Sequence, residues 1–70
     1  MLSQKKMILE YLQSGRSLTG LDAIRLFGAY RLSGRILDLR REGYPVQTRT
    51  ITTLTGKRIA EYYLDSIEKQ

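Results

Sequence analysis

The side chains best able to do chemistry in this sequence are arginines and lysines, which bind phosphate rather than catalyse reactions. Lysine and arginine number 12 against 7 aspartates and glutamates, which gives a net charge of +5 and an isoelectric point near 9.9. A surplus of this size on 70 residues indicates a polyanionic partner such as nucleic acid. The alternative is a basic surface that serves only solubility.

Catalysis and metal binding are disfavoured by the residue types that are missing. The chain has no histidine and no cysteine, so it lacks the common general base, thiol nucleophiles and thiolate metal ligands. No serine or threonine has such a base to activate it, and no glycine-rich phosphate loop follows a strand pattern. We therefore expect no enzyme activity, no cofactor and no metal.

Membrane insertion and secretion are also disfavoured. No apolar run approaches the roughly 18 residues of a membrane span, and no apolar stretch follows Lys5-Lys6. The absence of cysteine fits a reducing compartment. These features predict a cytoplasmic protein without a membrane partner.

The basic charge is concentrated in the middle and late parts of the chain. Residues 16–43 carry six arginines against three acids, and residues 44–60 carry three basic residues and no acid. Residues 61–70 have a net charge of −2. Because the acid-free stretch coincides with a strand pattern, we expect a cationic hairpin.

A first helix is predicted over about residues 4–13. Its apolar residues recur at helical spacing and form one stripe: Met7, Ile8, Tyr11 and Leu12. Ser3 is a suitable N-cap, and Gly15 is a suitable left-handed stop. Arg16-Ser17-Leu18 then forms a short extended link.

A second helix is predicted between the cap Thr19 and the stop Gly28. Asp22 supplies the acid of a capping box with Thr19. The apolar face of this helix is expected to hold residues at a spacing of three: Leu21, Ile24 and Phe27.

A third helix is predicted over about residues 31–42, with only Ala29 and Tyr30 between it and Gly28. Leu32, Ile36 and Leu39 define its buried face, and Gly43 and Pro45 prevent its continuation. At about 100° per residue, the opposite face carries the exposed residues: Tyr30, Gly34, Leu37, Asp38 and Arg41, with Arg31 at its edge.

A β-hairpin follows the helices. β-Branched residues alternate over Val46–Thr53, and Lys57–Leu64 forms the return strand after the turn Leu54-Thr55-Gly56. The inward residues are expected to be Val46, Thr48, Ala60, Tyr62 and Leu64. The outward face and tip then present basic residues and hydroxyls: Arg49, Lys57, Arg58, Thr53 and Thr55.

Three helices followed by a hairpin, with a tight turn between the second and third helices, predict a winged helix-turn-helix fold. Its class is α+β and mostly α. We expect a single domain over residues 1–70, with a folded core over about 4–64. The tail over 65–70 frays or forms a short helical turn.

The middle of the chain resembles small helix-turn-helix domains of bacteriophages and prophages. The residues that carry the resemblance are Thr19, Asp22-Ala23, Phe27-Gly28, Arg31-Leu32-Ser33, Arg35-Ile36, Asp38-Leu39-Arg40 and Gly43-Tyr44. The hairpin residues Thr55-Gly56-Lys57-Arg58 and Tyr62-x-Leu64 are similar too, so the match covers roughly residues 7–64.

That resemblance implies a winged helix that binds double-stranded DNA in a phage or bacterial setting, in the host cytoplasm or on the nucleoid. One difference is the spacing of Ala23 and Gly28, which are five residues apart where many such turns have four. Base-contact positions of repressor families are therefore not transferred.

The predicted DNA-binding residues lie on the third helix and the hairpin: Tyr30, Arg31, Ser33, Gly34, Arg41, Arg49, Thr55, Lys57 and Arg58. The small pair Ser33-Gly34 would let the helix approach a groove while the arginines reach base edges or phosphates. A solvated helix face is the alternative for Arg31 and Arg41. Gly34 either permits that approach or marks a later helix start capped by Ser33.

Arg35 is expected to form an internal ion pair, with Asp38 or with Asp22, rather than to contact DNA. Asp38 and Glu42 would repel phosphates and are expected to orient neighbouring arginines.

Two functional classes remain open. The favoured one is a double-stranded DNA-binding module, such as a small phage or bacterial transcriptional regulator or an accessory protein of DNA transactions. The alternative is a protein-interaction module that binds a replication, recombination or transcription factor, or a second copy, through Ile51, Ile59 and Tyr63. Salt dependence of binding separates the two. RNA binding is disfavoured because no aromatic pair lies on a sheet face.

Overall fold

A computed structural model describes residues 3–64. Its elements, in chain order, are α1 (Gln4–Gln13), β1 (Leu18–Thr19), α2 (Gly20–Phe27), α3 (Leu32–Arg41), β2 (Val46–Thr52) and β3 (Arg58–Leu64). The strands form one antiparallel sheet in the order β1-β3-β2. The predicted α+β fold with three helices and a hairpin is confirmed, whereas the predicted tail over 65–70 lies outside the described residues.

Local side chains start the first two helices where the sequence predicts. The Ser3 hydroxyl accepts a hydrogen bond from the Lys6 amide at 3.1 Å, and the Thr19 hydroxyl accepts one from the Asp22 amide at 3.2 Å. The third helix begins at Leu32 without a side-chain cap. The alternative that Ser33 caps a later start is therefore wrong, and Gly34 lies inside α3.

The core is a single cluster between the helices and the base of the sheet. Its buried apolar residues are Ile8, Leu9, Leu12, Leu18, Ala23, Ala29, Leu32, Ile36, Leu39 and Val46. The predicted buried face of α3 is thus confirmed. Burial of such side chains is the main stabilising contribution in a domain of this size.

The apolar face predicted for α2 is only partly buried. Leu21 is 66 % exposed, whereas Ala23 is completely buried and Phe27 is half-buried. A spacing of three residues drifts by about 60° per step on a helix. The core contact is centred on Ala23 and Phe27, and this drift carries Leu21 to the opposite side.

The extended link before α2 is a strand. Leu18 and Thr19 pair with Tyr62 and Glu61 of β3, so the central strand of the sheet is held on both sides at its base. Two residues are too few to give a periodic signal in the sequence. Farther along, β2 and β3 pair only with each other and project as a two-stranded wing, defined here as residues 46–64.

The predicted inward face of the wing is confirmed for Val46, Tyr62 and Leu64 but not for Thr48 and Ala60. Val46 and Thr48 lie opposite Leu64 and Tyr62, and Tyr62 and Leu64 pack against the core. Thr48 and Ala60 lie on the same face but are exposed.

Polar side-chain contacts connect the end of α3 to β2 and to α1. The Arg40 guanidinium donates to the Val46 carbonyl at 3.0 Å and to the Thr48 hydroxyl at 2.6 Å, which attaches α3 to β2. Lys5 pairs with Glu42 and joins α1 to the same end. The hydrogen bond to Glu42 raises the pKa of Lys5. The two bonds from Arg40 therefore connect the base of the wing to α3.

Candidate nucleic-acid interface

One face of α3 and the turn before it point away from the core. Tyr30 is 78 % exposed and Leu37 is 47 % exposed. Other members of the predicted site are exposed as well: Arg31, Ser33, Gly34 and Arg41. These residues therefore form an accessible surface, as the helical wheel predicts.

The fold does not require a glycine at position 34. A Cβ atom built on Gly34 would have no heavy atom within 4 Å, and the residue does not have the positive φ that favours glycine. A helical glycine without such a reason costs about 1 kcal/mol relative to alanine. The small residue thus leaves the backbone of α3 open to a close approach from outside.

The arginines of α3 and its N-cap Arg31 divide into paired and unpaired groups. Arg35 lies 3.7 Å from the Asp38 carboxylate, while Asp22 pairs with Arg25 at 3.1 Å. The structure thus places Arg35 with Asp38 rather than with Asp22. Within residues 3–64, the side chains of Arg31 and Arg41 make neither ion pairs nor hydrogen bonds. Their guanidinium groups keep all their donors for an external acceptor.

A cleft of about 680 Å³ separates the start of α3 from the tip of the wing. It brings together several residues of the predicted site: Tyr30, Arg31, Ser33, Thr55 and Lys57. Leu21, Ala60 and Tyr62 contribute an apolar lining. The cleft therefore combines an apolar surface with a cation on each side, Arg31 on the helical side and Lys57 on the wing.

The tip of the wing is an ordered turn. The Gly56 amide donates to the Thr53 carbonyl at 2.9 Å, and the Thr53 amide donates to the Lys57 carbonyl at 2.8 Å. The hydroxyls of Thr53 and Thr55 lie 3.0 Å apart within hydrogen-bond reach. Gly56 has a φ of 86°, a backbone conformation that glycine adopts without strain. The turn thus holds its neighbouring side chains in fixed directions.

Arg49 lies on the other face of the sheet from Arg58. Arg49 is opposite Glu61 and Arg58 is opposite Thr52, so the alternation of side chains along a strand separates them. The Arg49 guanidinium donates to Glu61 at 2.7 Å and to Ser17 at 3.0 Å, and it lies 4.6 Å from the centre of the Tyr63 ring. The structure does not bring Arg49 together with Lys57 and Arg58. A phosphate contact by Arg49 stays a prediction.

Two of the three residues predicted to bind a partner are paired, and the third, Tyr63, lies four residues farther along β3 on the same face. Ile51 is directly opposite Ile59, and both they and Tyr63 are half-buried. Arg49 covers part of the Tyr63 ring. The exposed apolar area of the predicted patch is therefore reduced, although no contact here tests a partner.

Two exposed leucines extend the candidate interface beyond the predicted residues. Leu37 projects from the outer face of α3, and Leu54 stands at the tip of the wing. The helical wheel gives the direction of Leu37, while Leu54 is an unusual residue for a turn, where glycine, proline, asparagine, aspartate and serine dominate. Both signals are available in the sequence.

Charge near α2 is balanced internally. Partial burial acts to raise the pKa of Asp22, but hydrogen bonds from Arg25 and Thr19 outweigh it and hold that pKa below its usual value. In the part of the chain that the structure describes, no group of three or more acidic side chains could hold a metal ion.

Across the same residues, no helix has the length and apolar character needed to cross a membrane.

Comparison with known families matches residues 3–66 to the family described as a winged helix-turn-helix domain. Comparisons with curated proteins and with solved structures find no match. The family match spans almost the whole chain and agrees with the observed order of three helices and a terminal hairpin. This chain therefore belongs to the winged helix-turn-helix domain family.

Proposed function

We propose that this domain binds double-stranded DNA, with α3 in the major groove and the wing on the adjacent phosphate backbone. The observation that carries the proposal is the cleft, which Arg31 lines on the helical side and Lys57 lines on the wing. A DNA backbone strand separates a major groove from a minor groove. A protein that occupies both sides of such a strand needs a cleft of this kind between the two elements.

The geometry of α3 suits the major groove. A helix with its side chains is about 10–12 Å wide, close to the major-groove width of about 12 Å. Ser33 and Gly34 have small side chains, so the backbone of α3 can come close to DNA near its N-terminus. This end of the helix generally approaches base edges in this motif. Arg31, at the N-terminus of α3, then reaches a base edge. Arg41, at the C-terminal end of the helix, reaches a phosphate.

The wing supplies the contacts that do not depend on sequence. Lys57 and Arg58 are exposed, and Thr55 adds a hydroxyl at the edge of the cleft. Such groups typically bind phosphate oxygens. The apolar lining of the cleft packs against the deoxyribose of the strand that it holds. Arg49 contributes less, because its guanidinium already has Glu61 and Ser17 as partners.

In biological terms, we propose a small regulator of transcription or an accessory protein of another DNA transaction, acting in the cytoplasm of a bacterial or phage-infected cell. This finer assignment rests on the resemblance to phage and prophage domains. Selection of duplexes from a random library tests it. An enriched motif would support sequence-specific regulation, and a palindromic motif would indicate a homodimer.

The wing assignment is tested by the salt dependence of binding. Each lost phosphate contact reduces the slope of log affinity against log salt by about 0.9, so replacing Lys57 and Arg58 with alanine should reduce it by about 1.8. Fluorescence anisotropy with a labelled duplex of about three helical turns measures the slope at several salt concentrations.

A matched control separates local contacts from net charge. Lys6 and Arg16 are also exposed, but neither lines the cleft. Their double alanine variant has the same net charge as the wing variant and should keep the wild-type slope. Equal slopes for the two variants would refute the wing assignment. Absence of salt-dependent DNA binding by the wild-type protein would refute the proposed function and favour the protein-interaction module.

A further inference from the structure

Leu54 is the most exposed large apolar side chain among the described residues. Its exposure is 106 % of the reference value for leucine, and it stands at the tip of the wing. Exposed leucines are common on protein surfaces. Leu54 differs from a scattered surface residue in its position at the end of a projecting element and in its surroundings.

The turn does not need leucine at this position. Backbone hydrogen bonds close the turn from Thr53 to Gly56 and from Thr53 to Lys57, and the Thr53 hydroxyl also accepts from the Lys57 amide at 3.2 Å. Leu54 belongs neither to the core nor to the packing around it. Its side chain is thus held outward on an ordered support and has no partner within residues 3–64.

The charge around Leu54 identifies the kind of partner. Residues 44–60 contain no acid, and Lys57 and Arg58 follow the turn directly. The acid of the neighbouring strand, Glu61, is paired with Arg49. An apolar tip with a cationic base is complementary to a nucleic-acid groove, where phosphates border the apolar surfaces of sugars and stacked bases.

The width of the wing determines how it can enter DNA. Two paired strands are about 4.8 Å apart before side chains are counted, and the minor groove is only about 6 Å wide. With its side chains the ribbon is broader than the undeformed groove, so the wing approaches it tip first and the side chain at the tip is the part that reaches the bases. Leucine is among the residues that proteins insert between base steps from this side.

We propose that Leu54 enters the minor groove beside the site of α3, partly separates two stacked base pairs and bends the duplex. This inference rests on the proposed function and makes it more specific, because it assigns the wing a deforming contact in addition to phosphate contacts. Insertions of this kind bend DNA by about 20–90° towards the major groove.

The experiment compares wild-type protein with Leu54→Ala on two duplexes that differ at one central position, which is paired in one and mismatched in the other. A mismatch lowers the cost of unstacking, so the wild-type protein should bind the mismatched duplex more tightly. Leu54→Ala should lose that preference, bind about tenfold more weakly and no longer bring the duplex ends closer in a fluorescence energy-transfer assay. Its salt slope should not change, because no phosphate contact is lost.

Leu26→Ala is the matched control, since Leu26 is also a leucine, is 51 % exposed and lies on α2 away from the wing. It should keep the mismatch preference and the bend. Thermal unfolding checks that both variants fold. If Leu54→Ala keeps the bend and the preference while the Lys57 and Arg58 variant still shows a shallower salt slope, the insertion is refuted and the proposed function stands. If wild-type protein fails to bind either duplex, both are refuted.

Discussion

Replacement of Gly34 by alanine should move stability and DNA binding in opposite directions. Gly34 is the third residue of α3, and the added methyl group would meet no protein atom within 4 Å. Alanine is favoured over glycine in a helix by about 0.5–1 kcal/mol. In a domain of this size, that gain corresponds to a rise in Tm of about 2–8 °C. Thermal unfolding followed by circular dichroism measures it.

The same methyl group should weaken binding if the exposed face of α3 lies against a groove. It would extend from the helix at a point where the proposal brings the backbone close to base edges. We expect a loss of at least about 1.4 kcal/mol in binding free energy, a factor of about ten in Kd. Fluorescence anisotropy with the duplex selected from the random library measures the change.

This design removes the usual ambiguity of a binding mutant, because a more stable variant cannot lose affinity through unfolding. Gln13→Ala, an exposed substitution on α1, provides a control that should leave affinity unchanged. If Gly34→Ala stabilises the domain and binds DNA as tightly as wild-type protein, no close approach occurs at this point of α3. If it destabilises the domain, the added methyl group meets neighbouring atoms, and the space around Gly34 is not open.

Three further outcomes follow from the described contacts. Arg31→Ala should cost about 1–3 kcal/mol on the preferred duplex and less on random DNA, whereas Arg41→Ala should weaken both alike; equal loss by Arg31→Ala on both duplexes would contradict its base contact. Arg40→Ala removes the hydrogen bonds to β2 and should lower the free energy of unfolding in urea by about 1–3 kcal/mol, and Arg40→Lys should recover little because lysine lacks the planar fork. The lowered pKa of Asp22 means that its stabilising contribution is complete above about pH 3.9 and is lost as the pH falls through the folded-state value. Asp22→Asn should therefore reduce the loss of stability on acidification, and an unchanged acid profile would exclude this contribution.

The sequence contains strong local signals for most of the elements. Ser3 and Thr19 identify the starts of two helices, and the observed α1 covers the predicted residues 4–13. The change from helical spacing to alternation after Pro45 identifies the hairpin, which the register of β2 and β3 confirms. These features depend on residues that are close together in the chain, so their spacing can be read from the sequence alone.

The features that the sequence did not predict depend on contacts between distant residues. β1 exists because Leu18 meets Tyr62 across the sheet, and a two-residue strand has no period of its own. The bond from Arg40 to β2 requires the angle between helix and strand, which spacing does not contain. The cleft arises from the same arrangement. Sequence spacing therefore identified candidate residues, while the fold determined which of them lie together.

The distribution of exposed apolar side chains bears on the choice between DNA and protein as the partner. Ile51, Ile59 and Tyr63 are half-buried, Ile51 and Ile59 lie directly opposite each other, and the Arg49 guanidinium lies over the Tyr63 ring. By contrast, Tyr30 and Leu54 are largely exposed, and each is close in sequence to a cation, Arg31 or Lys57, that lines the cleft. A protein-docking surface typically has an apolar centre depleted of charge, whereas DNA requires apolar and cationic groups side by side. The arrangement around the cleft favours DNA for this reason.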